Sequence, residues 1–256
     1  MAKKSYSYEN KQRMMDHEQG IVRSEIYCCR TNGVPVPEYK AILFGLEKLI
    51  SETGVSLKLV DHKNYNLGNI PFGNPDWYQQ QALMSRDMGF GRQANATEIW
   101  ALLRKEPFQE KNQHFDLIVI DQDLTMHPNV PDNNYIFGLG GFPNNIISVK
   151  RFLHTISDPL FRQQCLAVMG AHEFGHNLDL VHRKFNTGDV SNTYKKGHCD
   201  GEQGPCLMEQ VNVPGTRTIQ EQTKTILGRG NWLCPDCGDE INVKKELYNG
   251  KFMNRK

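Results

Sequence analysis

The stretch AHEFGHNLDLVH, residues 171–182, decides the fold because it contains the pattern of a metal-binding helix. His172 and His176 are four positions apart, so on a helix they lie on one face, about one turn apart, and can bind the same metal ion. Glu173 stands between them, where its carboxylate can take a proton from a water on the metal. The pattern therefore predicts a zinc site for metal-assisted hydrolysis, with Glu173 as the general base.

A third histidine, His182, follows ten positions after His172, which on a continuous helix is roughly 15 Å farther along the axis. It can reach the same metal ion only if the helix ends first, and we predict that end at Leu178 or Asp179. We expect Asp179 to adopt the left-handed conformation, which aspartate tolerates better than most residues, at a cost of about 1 kcal/mol relative to glycine.

Alternatives to this ligand set remain open. Asp189 or His198 could supply the third ligand if the chain turned back later, whereas Asp179 follows His176 too closely to reach round to the metal. A loop histidine such as His198 is also expected to be exposed to solvent rather than bound to metal. The HExxH pattern itself arises by chance in unrelated helices. Here it lies on a predicted helix, residues 157–178, that begins with a capping residue, Ser157 or Asp158, and has Pro159 in its first turn.

Four cysteines after the histidine motif indicate a second metal site. Cys234 and Cys237 form the knuckle CPDC, in which two thiolates three residues apart can bind one zinc ion. Cys199 and Cys206 supply the other pair, and a closed four-thiolate zinc site stabilises the fold without taking part in the reaction. A redox CxxC motif is the alternative, but no strand leads into a helix at CPDC. The remaining cysteines are expected to be small buried residues: Cys28, Cys29 and Cys165.

The chain before the motif predicts a mixture of helices and strands. Apolar residues at helical spacing predict a helix over 38–54, and a second over 95–107 that opens with a capping pattern. The run HFDLIVIDQDL, residues 114–124, predicts a central strand buried on both faces. Further predictions are a strand over 56–62, a loop over 66–77 and a short helix over 218–227.

Residues 133–152 contain two short β-prone segments around a glycine-rich middle, as suits a strand near the rim of a sheet. An extended peptide could pair with the second segment through main-chain hydrogen bonds, with its side chains alternating between cleft and solvent. The predicted substrate-binding residues are therefore Ile146, Ile147, Ser148 and Val149.

Length and charge exclude several classes of function. The 256 residues suit one large domain, and 30 basic against 29 acidic residues create no field that selects nucleic acid or an anionic membrane. Neither a secretory signal nor an apolar run of spanning length occurs, which predicts a cytoplasmic protein. We also expect a monomer. We expect residues 1–22 to be a flexible polar arm and 23–256 a single catalytic domain, with its cleft between residues 23–178 and 179–256.

These motifs resemble those of a known family. HEFGHNLDLVH resembles the elongated HExxHxxGxxH motif of the metzincin metallopeptidases, and CLM at 206–208 with CPDC at 234–237 is similar to the archaemetzincin branch. In that branch a cysteine directly follows the third histidine, and CxM and CxxC come after it. The resemblance implies an α+β, zincin-type domain with a twisted mixed sheet, a long active-site helix and a four-cysteine zinc knuckle.

The resemblance also implies roles for individual residues. His172, His176 and His182 would bind the catalytic zinc, and Met208 would lie in a turn beneath it. The four later cysteines would bind a second, structural zinc, and the activity would be aminopeptidase-like on short peptides. Three departures stand out: Asp179 replaces a glycine, Arg183 follows His182 where a cysteine is expected, and six rather than four residues separate the first two cysteines of the cluster.

The competing class of function is a non-catalytic zinc protein whose cysteine knuckle binds a partner. Glu173 argues against it, because a purely structural histidine site needs no general base. Nucleic-acid binding through the knuckle is a weaker variant, since no basic stripe flanks CPDC and the net charge is +1. The sequence therefore favours a zinc peptidase with a peptide or protein substrate, and neither nucleic acid nor membrane as a partner.

Overall fold

A computed structural model describes residues 25–61, 73–106, 109, 114–126, 135–141, 143–178, 180, 198–199, 204–212 and 216–239. Three predictions lie outside these residues: the arm over 1–22, the left-handed conformation of Asp179 and the position of His182. Within the described ranges, no helix is both long and apolar enough to cross a membrane.

The strands are β1 (Glu25–Arg30), β2 (Lys58–Asp61), β3 (Leu83–Asp87), β4 (Arg92–Asn95), β5 (Phe115–Ile120), β6 (Asp123–Thr125), β7 (Gly138–Gly141) and β8 (Asn144–Ser148). The helices are α1 (Val36–Thr53), α2 (Pro75–Gln81), α3 (Ala96–Arg104), α4 (Lys150–Thr155), α5 (Pro159–Asn177) and α6 (Ile219–Arg229). Strands and helices alternate from β1 to β3; after α3, four strands follow one another along the chain, and three helices come after them.

The main sheet has five strands in the order β2-β1-β5-β8-β7. Strand β5 lies at its centre and is buried along its whole length, which confirms the predicted central strand. The pairings β1 with β2, β1 with β5 and β5 with β8 are parallel, whereas β7 pairs antiparallel with β8. The predicted mixed sheet is therefore confirmed.

The prediction that residues 146–149 form the edge of this sheet is wrong. Strand β8 lies between β5 and β7, and the edge is the glycine-rich β7. Ile146, Ile147 and Val149 are 0% exposed and Ser148 is 2% exposed, so a peptide substrate has no access to them. β8 is not the edge because the segment before it folds back on it as an antiparallel hairpin partner. That segment can lie at the edge because its glycines leave few side chains that need burial.

Helices cover both faces of the sheet. Phe115, Leu117 and Val119 of β5 pack in the larger core with α1 and α5, whereas Ile118 and Ile120 point to the opposite face and pack with α3. Helices α1 and α5 approach very closely, because a Cβ atom at Gly45 would overlap the backbone carbonyl of Ala167. This contact fixes the long helix against the sheet.

The long helix α5 has the ends that the sequence predicts to within one residue. Asp158 caps it by accepting a hydrogen bond from the Leu160 amide at 3.0 Å, and Pro159 occupies its first turn. The last helical residue is Asn177, and the Leu180 amide then bonds to the Gly175 carbonyl at 3.1 Å. The chain thus leaves the helix directly after the second histidine of the motif.

Other elements confirm or correct the sequence predictions. Helix α1 ends at Gly54 in the left-handed conformation, with φ 61°, as predicted, and the predicted strand after it is β2. The predicted helices over 95–107 and 218–227 are α3 and α6. The loop prediction over 66–77 is wrong at its end, because Asn74 caps a helix that begins at Pro75. A second sheet, in the order β3-β4-β6, was not predicted.

Candidate metal centres

Three histidine rings converge beside the C-terminal end of α5. Helical spacing places His172 and His176 on one face, with 3.2 Å between their Nε2 atoms. The ring of His198 stacks on that of His172, with 5.2 Å between centroids, and lies edge-on to that of His176 at 4.8 Å. One ring nitrogen from each histidine lies within 4.8 Å of the other two, a grouping that could hold a metal ion.

The surroundings favour the neutral form of the two histidines of α5. Burial lowers the pKa of His172, and burial together with the facing rings of His198 and His172 lowers the pKa of His176 well below its usual range. A neutral imidazole has one nitrogen lone pair available, and this is the form that binds metal. The environment of His172 and His176 therefore suits a metal site.

A backbone carbonyl fixes the orientation of His172. Its Nδ1 lies 2.6 Å from the Leu207 oxygen. A carbonyl oxygen only accepts hydrogen bonds, so Nδ1 carries the proton and donates it, which leaves the Nε2 lone pair directed at the histidine cluster.

Glu173 is buried beside the histidine cluster. Its side chain is 7% exposed, and burial raises its pKa to about 8, partly offset by a hydrogen bond from the Gly140 amide. Strand β7 approaches it so closely that a Cβ atom at Gly138 would lie 2.7 Å from the Glu173 Cγ. A carboxyl group with a pKa near neutrality, adjacent to metal ligands, is suited to accept and release protons.

Met208 lies directly beneath the helix that carries the histidines. It is fully buried, and a Cβ atom at Gly175 would overlap its Sδ. Gly175 immediately precedes His176, so the thioether packs against the backbone between the two metal-binding turns of α5. This is where the family resemblance places a supporting methionine.

Four thiols form a second cluster. The Sγ atoms of Cys199, Cys206, Cys234 and Cys237 lie within 4.8 Å of one another, and all four residues are buried. The Sγ atoms of Cys199 and Cys234 are 3.7 Å apart, a separation far longer than a disulfide bond. Hydrogen bonds from the thiols of the other three cysteines, Cys199 first, lower the pKa of Cys234. The arrangement is that of a closed tetrahedral thiolate site, which zinc fits well.

The two clusters share one piece of backbone. His198 and Cys199 are consecutive, yet one side chain joins the histidines and the other joins the thiols. The Cys199 amide donates to the Met208 carbonyl at 2.7 Å. Gln222 of α6 holds the same turn, since its side-chain amide donates to the carbonyls of Cys206 at 2.9 Å and Leu207 at 3.3 Å. A displacement of this turn would therefore affect both clusters.

Comparison with known proteins agrees with this architecture. No family model matches the chain, and no curated protein matches it. Among solved structures, the archaemetzincin from Methanopyrus kandleri is similar over 86% of this chain and 93% of its own, with a TM-score of 0.52 and 19% sequence identity. The chain has an archaemetzincin fold.

His198 matches one part of the archaemetzincin motif and departs from another. The motif has a cysteine directly after its third histidine, as Cys199 follows His198, whereas Arg183 follows His182. His198 lies 22 positions after His176, however, where the motif has six, the spacing that His182 has. The expectation that His198 is an exposed loop residue is wrong, because its side chain is half-buried against the two histidines of α5.

The outer edge of the main sheet on this side is β7. In the β7–β8 pair, the Ser148 amide donates to the Phe137 carbonyl at 2.8 Å. Hydrogen-bonded pairs alternate with non-bonded pairs in an antiparallel ladder, so Gly138 and Gly140 direct their main-chain groups away from β8. The Gly140 amide reaches Glu173, which places this outer edge next to the histidine cluster.

Several residues of this site were missed by sequence reasoning. The roles of Leu207 and Gly140 depend on backbone groups, which any residue type provides, so no sequence signal identifies them. Gln222 lies on the predicted short helix among other polar residues, so its residue type alone does not distinguish it from the exposed positions of that helix. His198 was not missed, since the sequence gives it as an alternative third ligand to His182.

Proposed function

We propose that this protein is a zinc-dependent peptidase. The observation that carries the proposal is the buried carboxyl group of Glu173 beside three converging imidazoles. A purely structural histidine site gains nothing from a buried carboxyl whose ionised form burial disfavours. A hydrolytic site needs such a group to move protons during the reaction.

His172, His176 and His198 are the proposed ligands of the catalytic zinc. Support comes from the convergence of their ring nitrogens and from the low pKa values of His172 and His176. His182, which the sequence favoured as third ligand, lies outside the described residues. Zinc at this position would act as a Lewis acid that polarises the substrate carbonyl and activates water.

Glu173 is proposed to be the general base and then the general acid. Its carboxylate takes a proton from the attacking water and returns it to the amine of the leaving product. A pKa shifted towards neutrality balances these two tasks, because the group must be ionised to accept the proton and acidic enough to release it.

The proposed substrate is an extended peptide bound along β7. The outward main-chain groups of Gly138 and the Gly140 carbonyl are available to pair with it, and no described strand lies beyond β7 in the sheet. The absence of side chains at the two glycines lets Glu173 pack directly against the strand, so a peptide paired with the outer edge of β7 would lie close to Glu173. Aminopeptidase-like action on short peptides, a monomeric state and a cytoplasmic location are further parts of the proposal.

Cys199, Cys206, Cys234 and Cys237 are proposed to bind a second zinc, so that each chain holds two zinc ions in these clusters. Support comes from the closed arrangement of four buried thiols. Such a site has no open position for a substrate, and its role would be to stabilise the turn that carries His198 and Met208.

Digestion of a mixed peptide library, read by mass spectrometry, tests the proposal. The zinc-loaded protein should cleave peptides, and Glu173→Gln should be inactive while it retains zinc in the histidine site. Glu98→Gln, a change to an exposed acid on α3, is the matched control and should cleave like the parent. Equal cleavage by the parent and Glu173→Gln would refute the role of Glu173. Inactivity of the parent with both zinc sites filled would favour the non-catalytic zinc protein.

A further inference from the structure

A third cluster of metal-binding side chains lies away from the two described above. Glu106, His114 and Asp116 each place one ligand atom within 4.8 Å of the others, and all three residues are buried. His114 Nε2 lies 3.1 Å from Asp116 Oδ1. This is a hydrogen-bond distance, and it is also close to the separation of about 3.4 Å between two ligands at about 2.1 Å from one tetrahedral ion, so a small shift would let both atoms bind the same metal.

This cluster lies on the face of the main sheet opposite to α5. Asp116 alternates with Phe115 and Leu117 along β5, so its side chain is on the same face as Ile118 and Ile120. That face is otherwise covered by an apolar cluster from α2, α3 and the small sheet. An ionisable group at such a position needs compensation of its charge.

Neighbouring groups orient the two carboxylates from outside the cluster. The Gln109 side-chain amide donates to Asp116 Oδ2 at 2.5 Å and to the His114 carbonyl at 2.9 Å. The Gly73 amide donates to Glu106 Oε1 at 3.2 Å. Hydrogen bonds of this kind, from a second layer to the ligating groups, are typical of built metal sites.

The charges of the cluster also fit a divalent cation. Burial and the neighbouring Asp116 carboxylate raise the pKa of Glu106 to about 8, so without a metal Glu106 holds a proton, and an imidazolium of His114 paired with the Asp116 carboxylate would make the cluster neutral. A metal ion would replace these protons. A divalent ion bound to two carboxylates and a neutral imidazole gives zero net charge. Neutrality is the condition under which such groups are buried at least cost.

We propose that Glu106, His114 and Asp116 bind a divalent transition-metal ion, in a site separate from the histidine and cysteine clusters. Two carboxylate oxygens and one imidazole nitrogen suit Mn²⁺ or Zn²⁺, whereas the thiolates and the three imidazoles prefer Zn²⁺ over Mn²⁺. The ion would tie the end of α3 to the start of β5. It would thereby hold the central strand on the side that faces away from the peptidase site.

Binding of Mn²⁺ by the full chain tests this proposal. The protein is first loaded with two equivalents of zinc, which fill the two higher-affinity clusters, and Mn²⁺ is then titrated while electron paramagnetic resonance reports the free ion. We expect one Mn²⁺ per chain. Glu106→Gln and Asp116→Asn should each weaken binding at least tenfold, and Gln109→Leu should weaken it less.

Two controls keep this result independent of the peptidase proposal. Glu98→Gln alters an exposed acid on α3 and should leave Mn²⁺ binding unchanged. His172→Ala disrupts the histidine cluster and should still bind one Mn²⁺ per chain. Adding Glu106→Gln to this variant should abolish the Mn²⁺ binding. Circular dichroism shows whether each variant is folded. The proposal is wrong if the folded parent binds neither Mn²⁺ nor a third equivalent of Zn²⁺. It is also wrong if Glu106→Gln binds Mn²⁺ as tightly as the parent does. In either case the charges of the cluster are balanced by bound protons instead of a metal ion.

Discussion

His172 donates a hydrogen bond from Nδ1 to the Leu207 carbonyl oxygen across 2.6 Å, and this bond joins the helix of the histidine cluster to the turn of the cysteine cluster. Leu207 follows Cys206 directly, so a metal ion bound by the thiols also fixes the acceptor that orients His172. The two proposed zinc sites are therefore mechanically connected, although they use different ligands.

The Gln222 side chain should control the affinity of the histidine site from a distance. Its amide donates to the carbonyls of Cys206 and Leu207, so Gln222→Leu frees the turn that orients His172. We expect zinc affinity at the histidine site to fall about tenfold, as for other outer-shell changes. Competition with a chromogenic chelator measures the affinity. Gln220→Leu changes a half-buried glutamine on the same helix and should have no comparable effect; equal affinities in the parent and Gln222→Leu would contradict the expectation.

The glycines of β7 should differ sharply in their tolerance of a side chain. An alanine Cβ at Gly138 would lie 2.7 Å from the Glu173 side chain, whereas one at Gly141 would meet no atom within 4 Å. Gly138→Ala should displace Glu173 and lower kcat/KM by about a hundredfold, which is the typical effect of a 1 Å misplacement. Gly141→Ala should remain close to the parent. Peptide hydrolysis by the two variants, measured side by side, provides the comparison, and similar losses in both would argue against a positional role of Gly138.

Features of this site that depend on neighbouring residues in the chain could be predicted from the sequence, whereas features that depend on residues far apart in the chain could not. Helix α5, its cap at Asp158 and its end after Asn177 follow from local periodicity and capping chemistry, so they were predictable. The position of β8 inside the sheet depends on where the preceding strand folds, and residues 146–149 carry no local sign of it. An apolar strand has the same sequence pattern whether it lies at the edge of a sheet or next to the edge strand.

The choice between His182 and His198 shows the same limit. Spacing along a helix favours the nearer histidine, because only one break is needed to bring it back. The structure places the ring of His198, 22 positions after His176, beside the two histidines of α5, and the closure entropy of such a longer loop grows only slowly with its length. Distance along the chain therefore does not exclude His198 as a ligand, and the position of His182 lies outside the described residues.

The pKa of Glu173 makes the stability of the protein depend on pH when the histidine site holds no metal. Burial raises this pKa from 4.5 to about 8. Below about pH 4.5 the carboxyl is protonated in both the folded and the unfolded chain. Above it the unfolded chain ionises while the fold retains the proton, so stability is lost as pH rises towards 8.

Glu173→Gln removes this dependence. The variant should be more stable than the parent by about 4 kcal/mol at pH 8, and by less than about 1 kcal/mol at pH 5, since the pKa is raised from 4.5 to about 8 and one pKa unit corresponds to about 1.4 kcal/mol. Urea denaturation at both pH values measures the difference, on protein that carries zinc only in the cysteine site. A stability difference that is the same at pH 5 and pH 8 would show that Glu173 does not titrate in this range.

Removal of one thiol should affect both metal sites. Cys237→Ser leaves three thiolates and should release the structural zinc, which lowers the melting temperature by at least 10 °C, because closed zinc sites contribute directly to folding. The zinc of the histidine site should also bind more weakly, since Cys199 no longer fixes its neighbour His198. Metal content by mass spectrometry and thermal melting are the measurements. Cys165→Ala, which alters a buried cysteine outside the cluster, should keep both zinc ions and lose only modest stability.

The identity of the third ligand can be decided with two single variants. His198 stacks on His172 at 5.2 Å between ring centroids, so His198→Ala should remove one ligand and weaken zinc binding at the histidine site by at least a hundredfold. His182→Ala should keep the affinity of the parent, because three imidazoles then remain. Cobalt substitution adds a spectroscopic test: loss of an imidazole opens a position to water and changes the visible absorption of the ion, which we expect for His198→Ala alone. The reverse pattern, with His182→Ala as the defective variant, would restore the ligand set that helix spacing suggests and leave His198 as a residue that only packs against the site.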